Sequence, residues 1–200
     1  MSNISCYHAL HMPPSTYSHI IFDFDETLAT LQIDWSHWHA QIVPLLQKYD
    51  PSVTDASDLN MFHINILITR YGEVFRDEFV AFEQRIEQAH YHGYRVIKPS
   101  LQLLRDLHHQ GKTLYLLTSN CRQVVEPILE ELQIKGFFQK IVTVNDVENL
   151  KPSPAPWQLI AETESDKSQF LMIGDSASDS GFAANVGIDY LDVRDLVTAA

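Results

Sequence analysis

Cysteine is scarce in this chain: Cys6 and Cys121 are the only two thiols in 200 residues. Their number and separation make no disulfide framework and match no zinc-ligand spacing, so the expected setting is reducing and cytoplasmic. Long apolar runs are also missing. None reaches the roughly 18 residues of a membrane-spanning helix. The N-terminus lacks a basic stretch followed by an apolar one, so no secretion signal is expected. Positive charge is thin, with 14 Lys and Arg against 26 Asp and Glu and a formal net charge of −12. With no basic stripe, a nucleic-acid backbone is not the expected partner. A small phosphorylated ligand is still allowed, since it needs only a few local donors. The histidines His37 and His39 are two apart, as are His90 and His92, while His108 and His109 are adjacent. Helical residues two apart do not share a face, so no histidine metal site is expected. What is present is a 45% hydrophobic composition, ordinary for a folded chain with a real core.

The chain is organised around His19-Ile20-Ile21-Phe22-Asp23-Phe24-Asp25-Glu26-Thr27-Leu28. Ile20, Ile21 and Phe22 read as a strand covered on both faces. Asp23 and Asp25 follow, two apart, and would project together from extended chain. Charges that close repel unless a cation or a shared proton relieves them. Residues 1–18, with Pro13 and Pro14, read as a loose arm. From Leu31 to about Lys98 the spacing is helical. One helix carries Trp35, Trp38, Ile42, Leu45 and Leu46, with a kink or break expected at Pro44. A second runs from Met61 to near Tyr71-Gly72, and a third from Val74 to before Gly93. No strand is expected in this block. From Pro99 onward helices alternate with strands, the strands lying near 113–117, 141–144, 170–173 and 188–191. That alternation implies a parallel sheet with helices on both faces.

Ligands of such sheets bind beyond the carboxyl ends of the strands. Those ends carry Asp23 and Asp25, then Thr118, Ser119 and Asn120, then Lys151 in a loop, then Asp175 with Asp179 one turn on. Taken alone, Asp175 and Asp179 would suit capping of a helix, Thr118 likewise, and Lys151 a surface. Together they suit phosphoryl transfer. Oxygen ligands select Mg²⁺, which draws an anionic substrate to an anionic nucleophile. Thr118 and the backbone amides after it, at a helix start, can hold phosphate oxygens, and Lys151 adds a compact positive charge. One Asp can attack phosphorus while the other moves protons.

Asp23-Phe24-Asp25-Glu26-Thr27, Thr118-Ser119-Asn120, Lys151-Pro152 and Gly174-Asp175-Ser176-Ala177-Ser178-Asp179 resemble, in order, the four motifs of the haloacid dehalogenase-like (HAD) superfamily. The resemblance covers about 19–30 and 98–191. It implies a Rossmann-like α/β core, residues 1–30 and 98–200, with a helical cap at 31–97 inserted after the first motif, as in phosphoglycolate phosphatase-like members. It implies Asp23 as nucleophile, Asp25 as general acid/base, and Thr118 and Lys151 as holders of the phosphoryl group. The implied Mg²⁺ ligands are the side chains of Asp23 and Asp175 and the backbone carbonyl of Asp25. Asp179 is implied either as a ligand or as an acid behind the ligands. Ser119 competes with Thr118 for the phosphate-binding role. A second acid at position 25 favours phosphatases within the superfamily. Glu26 departs from the family pattern, where Gly is frequent and tolerates backbone angles that Glu does not. The implied reaction is hydrolysis of a small phosphate monoester such as a phosphoglycolate-like compound, a sugar phosphate or a nucleotide. A phosphomutase on a phosphorylated sugar and a catalytically silent binding module are the alternatives.

Overall fold

The computed structural model describes residues 13–55, 61–161 and 165–198. Its centre is a five-stranded sheet in the order β5-β4-β1-β6-β7. These strands are β1 (His19–Phe22), β4 (Thr113–Leu117), β5 (Phe138–Val142), β6 (Phe170–Gly174) and β7 (Asp189–Asp192). Every pairing in this sheet is parallel. After β1 the sheet grows outward on one side through β4 and β5. The chain then crosses to the other side of β1 for β6 and β7. That reversal falls beside β1, and open α/β sheets bind ligands beyond the carboxyl ends of the strands at such a point.

Alternating side chains build two cores. Ile20, Phe22, Leu114, Leu116, Leu171 and Ile173 face one way, against Leu104 and Leu107 of α4 (Lys98–His109) and Val124, Val125, Ile128 and Leu129 of α5 (Arg122–Glu131). Ile21, Tyr115, Leu117, Phe170 and Met172 face the other way, against Phe182, Ala183 and Val186 of α7 (Ala177–Val186) and Ile160 of the short α6 (Trp157–Ile160). Ile20, Ile21 and Phe22 are all fully buried, as expected of a strand covered on both faces. A last helix, α8 (Val193–Thr198), follows β7 and has no counterpart in the sequence pattern.

Residues between β1 and α4 form α1 (Trp35–Gln47), α2 (Met61–Tyr71) and α3 (Glu73–His90). Their apolar faces, including Ile42, Leu46, Ile64, Phe75 and Phe79, belong to the same continuous cluster as Leu117 and Val142 of the sheet. Three expectations are corrected here. The block is not free of strands: β2 (Ala29–Ile33) and β3 (Tyr91–Val96) form an antiparallel pair at the entry to and exit from the helices. Each is short, and its partner lies some sixty residues away, so neither alternates long enough to stand out locally. Of the kink or break expected at Pro44, the break does not occur: α1 runs through it to Gln47, with Pro44 exposed. Part of the supposed loose arm is held: Tyr17 is buried, its hydroxyl donates to Asp189 Oδ2 at 2.8 Å, and Ser18 N donates to Gln169 O at 3.1 Å. The rest of the arm, residues 1–12, lies outside the described residues.

Two features of this architecture have measurable consequences. Glu26, just after the first acid pair, adopts φ 53°, the left-handed region. Side chains with a Cβ are disfavoured there by about 1–2 kcal/mol. Glu26→Gly is therefore expected to raise stability by about 1 kcal/mol, read as a higher urea midpoint with an unchanged m-value. Inside the helical block, Glu83 of α3 is buried and accepts from Trp38 Nε1 of α1 at 2.8 Å. Burial pushes its carboxyl up to about 8 from 4.5, Glu87 pushes the same way, and the Trp38 bond opposes. The fold thus favours the neutral acid, and the unfolded chain gives up that proton at lower pH. Stability attached to Glu83 is complete below about 4.5 and is lost as pH rises towards 8. Glu83→Gln keeps an acceptor for Trp38 and is expected to flatten that decline. It should be the more stable protein at pH 8, by at least about 1 kcal/mol in urea titrations, with a smaller difference at pH 5.

Candidate active site

Of the four acids expected together, Asp23, Asp175 and Asp179 bring their carboxylates into one group, and Asp25 stands beside it, near enough to feel the Asp175 charge. Strand β1 ends at Phe22, and Asp23 N still donates to Ile173 O at 2.9 Å, continuing the sheet for one residue. The chain then turns tightly: Phe24 O receives the amides of Thr27, Leu28 and Ala29 at 3.3, 2.8 and 3.1 Å. The extended geometry that would aim Asp23 and Asp25 the same way therefore stops between them. Carboxylate oxygens of Asp23, Asp175 and Asp179 lie within 4.8 Å of one another. The carboxylate of Asp25 is outside that group, and its Oδ1 accepts from Leu31 N of β2 at 2.7 Å.

Lys151 is the centre of the cluster. Its ammonium, 3% exposed, donates to Asp23 Oδ1 at 2.7 Å, to Leu117 O at 3.0 Å, and to Asp179 Oδ1. Those three bonds use every donor a lysine has. Asp179 is fully buried. Its other oxygen accepts from Ser176 N at 3.1 Å and Ser176 Oγ at 2.6 Å, and Ser176 caps α7 through the Asp179 amide. The capping role and the site role of Asp179 thus coexist. Gly174 makes this approach possible, since a Cβ there would stand 2.5 Å from Asp179 Cγ. Thr27, fully buried, donates to Asp175 Oδ1 at 3.4 Å, tying the turn after β1 to the end of β6.

The electrostatics follow from burial among like charges. Burial pushes the Asp23 carboxyl up to about 7, the Asp179 charge adds to this, and Lys151 opposes. Burial likewise pushes Asp25 up to about 6, against the bond from Leu31 N, and raises Asp175, with Asp179 adding and Lys151 opposing. Burial alone would lower Lys151, but the Asp179 and Asp23 charges prevail and hold it well above its usual range. Three carboxylates and one ammonium leave net negative charge in a buried place. An all-oxygen donor set of that kind fits a hard divalent cation, and Asp23 and Asp175 have oxygen atoms free of Lys151 to offer one.

Thr118 sits at the end of β4, buried, with its amide on Val142 O at 3.0 Å. Ser119 beside it is half-buried and Asn120 is buried. The amides that follow are less open than expected. Asn120 N donates to Thr118 Oγ1 at 3.1 Å, Cys121 N to Glu87 Oε2 at 2.8 Å, and Arg122 N to Asn145 Oδ1 at 3.0 Å. Among the described residues, Ser119 N is the amide of this turn left without such an acceptor.

The motif pattern alone does not mark Glu87 or Gly174 as site residues. A usable signal existed for Glu87. Glu83 and Glu87 stand four apart on the stripe of α3 that carries Phe75, Phe79, Phe82 and Ile86, and acids on an apolar stripe are seldom accidental.

Residues 20–193 match the sequence profile of the haloacid dehalogenase-like hydrolases. A pyrophosphatase PpaX of Bacillus cereus strain Q1 is 28% identical over 170 residues, covering 84% of this chain and 72% of that protein. The same-named protein of strain B4264 is 36% identical over 87 residues, covering 43% of this chain and 40% of that protein. Against the same-named proteins of Bacillus cereus strains B4264, G9842 and ATCC 14579, the matched part of the chain spans only 40–59% of the relative's length. Among solved structures, a HAD-superfamily hydrolase from Ehrlichia chaffeensis superposes with a TM-score of 0.54 at 20% identity, covering 88% of this chain and 86% of that one. A predicted phosphoglycolate phosphatase from Haemophilus somnus does so at 0.55 and 21%, covering 88% and 84%. At such identities the superpositions speak for the fold. The profile match spans most of the chain and takes in all four motif regions, so this protein belongs to the haloacid dehalogenase-like hydrolase family.

Proposed function

We propose that the protein is a Mg²⁺-dependent phosphatase that hydrolyses a small phosphate monoester through an aspartyl-phosphate on Asp23. The observation that carries this reading is the convergence of Asp23, Lys151, Asp175 and Asp179 beyond the carboxyl end of β1. The side chains of Asp23 and Asp175 and the backbone carbonyl of Asp25 would hold the metal. Asp179, with both oxygens engaged, stands behind them and fixes Lys151. When bound, Mg²⁺ offsets the charge of the acid cluster and of the phosphate group.

The protein's own groups account for the chemistry in two displacements. A carboxylate oxygen of Asp23 attacks phosphorus, the bond from phosphorus to the ester oxygen breaks, and the leaving alcohol takes a proton from Asp25. Asp25 then takes a proton from water, whose oxygen attacks phosphorus, and the Asp23–phosphorus bond breaks to free inorganic phosphate. A carboxyl held near 6 is suited to both directions of that transfer. Lys151 orients Asp23 and adds positive charge where the phosphoryl group arrives. Thr118 Oγ1, or the Ser119 hydroxyl and amide beside it, would meet the remaining phosphate oxygens. Residues 31–97 act as a cap that excludes water and selects the substrate. A cap in contact with the sheet suits a small phosphorylated metabolite better than a macromolecule, and no helix among the described residues is long and apolar enough to cross a membrane. Because the Bacillus relatives are named pyrophosphatases, pyrophosphate joins phosphoglycolate, sugar phosphates and nucleotides in the first substrate panel.

Phosphate release from that panel with Mg²⁺ tests the reading. Asp23→Asn is expected to lower kcat at least ~10³-fold, and EDTA to abolish turnover until Mg²⁺ is restored. Turnover unchanged in Asp23→Asn refutes the assigned nucleophile. Conversion of a sugar phosphate to its isomer without net phosphate release would point to a mutase instead. Lys151→Ala is expected to weaken binding of inorganic phosphate in a calorimetric titration. In EDTA it should also cost roughly 3–5 kcal/mol of stability, since it strands Asp23 and Asp179 without their buried partner.

A further inference from the structure

Lys151 lies in a stretch of turns between the end of β5 at Val142 and the start of α6 at Trp157. Its chain neighbours on both sides are held by asparagine side chains. On the insert side, Asn65 of α2 meets the backbone of Leu150 twice. Asn65 Nδ2 donates to Leu150 O at 2.7 Å, and Leu150 N donates to Asn65 Oδ1 at 2.9 Å. A carboxamide carries donor and acceptor side by side, so one side chain serves both groups, as a neighbouring strand would. Leu150 is buried, and its carbonyl belongs to the peptide that joins it to Lys151. On the core side, Asn185 of α7 donates to Pro152 O at 2.9 Å. Gly181 leaves room for Pro152, since a Cβ there would stand 2.7 Å from Pro152 Cβ. Earlier in the stretch, Arg76 of α3 donates to Val147 O at 2.9 Å and to Asn145 O at 3.0 Å. The approach to Lys151 is thus shaped from the insert, and the departure from it by the core.

We propose that Asn65 is a positioning residue for the attacking acid: from the insert it fixes the backbone of Leu150, and through it the point from which Lys151 reaches and orients Asp23. This rests on the reading of Asp23 as the nucleophile. The far end of the lysine is held by Asp23, Asp179 and Leu117 O, which places the ammonium but not the chain that delivers it. Ser153 N also donates to Leu150 O, at 2.9 Å, but that bond lies within the same stretch and moves with it. Asn65 instead ties Leu150 to a helix whose Ile64, Leu67 and Ile68 share a buried cluster with Leu117 and Leu150 itself. Without that tie, a shift of the Leu150 backbone is passed along the side chain to the bond on Asp23 Oδ1. Seating of α2 and alignment of the nucleophile are then coupled.

The test is turnover of p-nitrophenyl phosphate by the full chain with Mg²⁺, beside a measurement that needs no turnover. Folded Asn65→Ala is expected to lose about tenfold in kcat while KM changes less than about threefold, because alignment of the nucleophile is spoiled and not binding. Asn65→Asp keeps the shape and the acceptor for Leu150 N, but sets a second oxygen against Leu150 O. It should therefore lose kcat by about as much as Asn65→Ala, and it decides the matter should Asn65→Ala not fold. Without metal, in EDTA, proton exchange at the Lys151 ammonium is read by NMR on protein with ¹⁵N-lysine, the signal being assigned by its loss in Lys151→Met. That exchange should be at least about tenfold faster in Asn65→Ala than in the parent. A kcat within twofold of the parent in folded Asn65→Ala, full rescue by Asn65→Asp, or unchanged exchange overturns the coupling and leaves the phosphatase reading intact. A parent chain that releases no phosphate from any ester overturns the phosphatase reading, and the proposal with it.

Discussion

The site depends on one buried ammonium. Asp23, Asp175 and Asp179 crowd their oxygens within 4.8 Å, the first and last of them buried and Asp175 half-buried. Left alone, such acids would take up protons, and a protonated Asp23 could not attack phosphorus. Lys151 sits between Asp23 and Asp179 and uses its third donor on Leu117 O, so it is fixed by the sheet itself. Its own charge is secured by the carboxylates that it stabilises. Burial of this kind is a poor source of net stability but a strong constraint on geometry.

The rest of the architecture serves to bring that lysine and those acids together. Parallel order around β1 collects strand ends at one rim. The absence of a side chain at Gly174 lets Asp179 fold back over the end of β6. Ser176 holds the free side of Asp179 while starting α7, so one serine both caps a helix and orients a site acid. Glu26 holds a backbone angle better suited to glycine at the turn that separates Asp23 from Asp25.

The inserted helices are not a separate body laid beside the core. Their apolar faces continue the core of one side of the sheet, and Asn65 and Arg76 bond to backbone oxygens of Leu150, Val147 and Asn145 in the stretch leading to Lys151. With Glu87 on the other flank, the insert touches both the loop before the lysine and the turn that carries Thr118. The insert is thus tied to both flanks of the site.

Most strands and helices of the core were legible because their signals are local, whereas β5 starts three residues before the run expected at 141–144 and α8 carries no such signal. Ile20-Ile21-Phe22, Leu114 to Leu117 and Phe170 to Ile173 are compact apolar runs, and an acid, a threonine or a glycine–acid pair follows each one. The paired strands β2 and β3 were not legible, since each is short and finds its partner across the whole insert. The sequence by itself determined which groups stand at the ends of which strands, because chain order and residue pattern decide that. Only the tertiary structure decided which oxygen each group meets. Lys151 reaches Asp23 across 128 positions, and Glu87 reaches Asn120 across 33. It also turned Asp25 towards Leu31 rather than alongside Asp23. Such pairings depend on how helices seat against strand ends, and packing of distant apolar faces sets that seating while local spacing leaves it open.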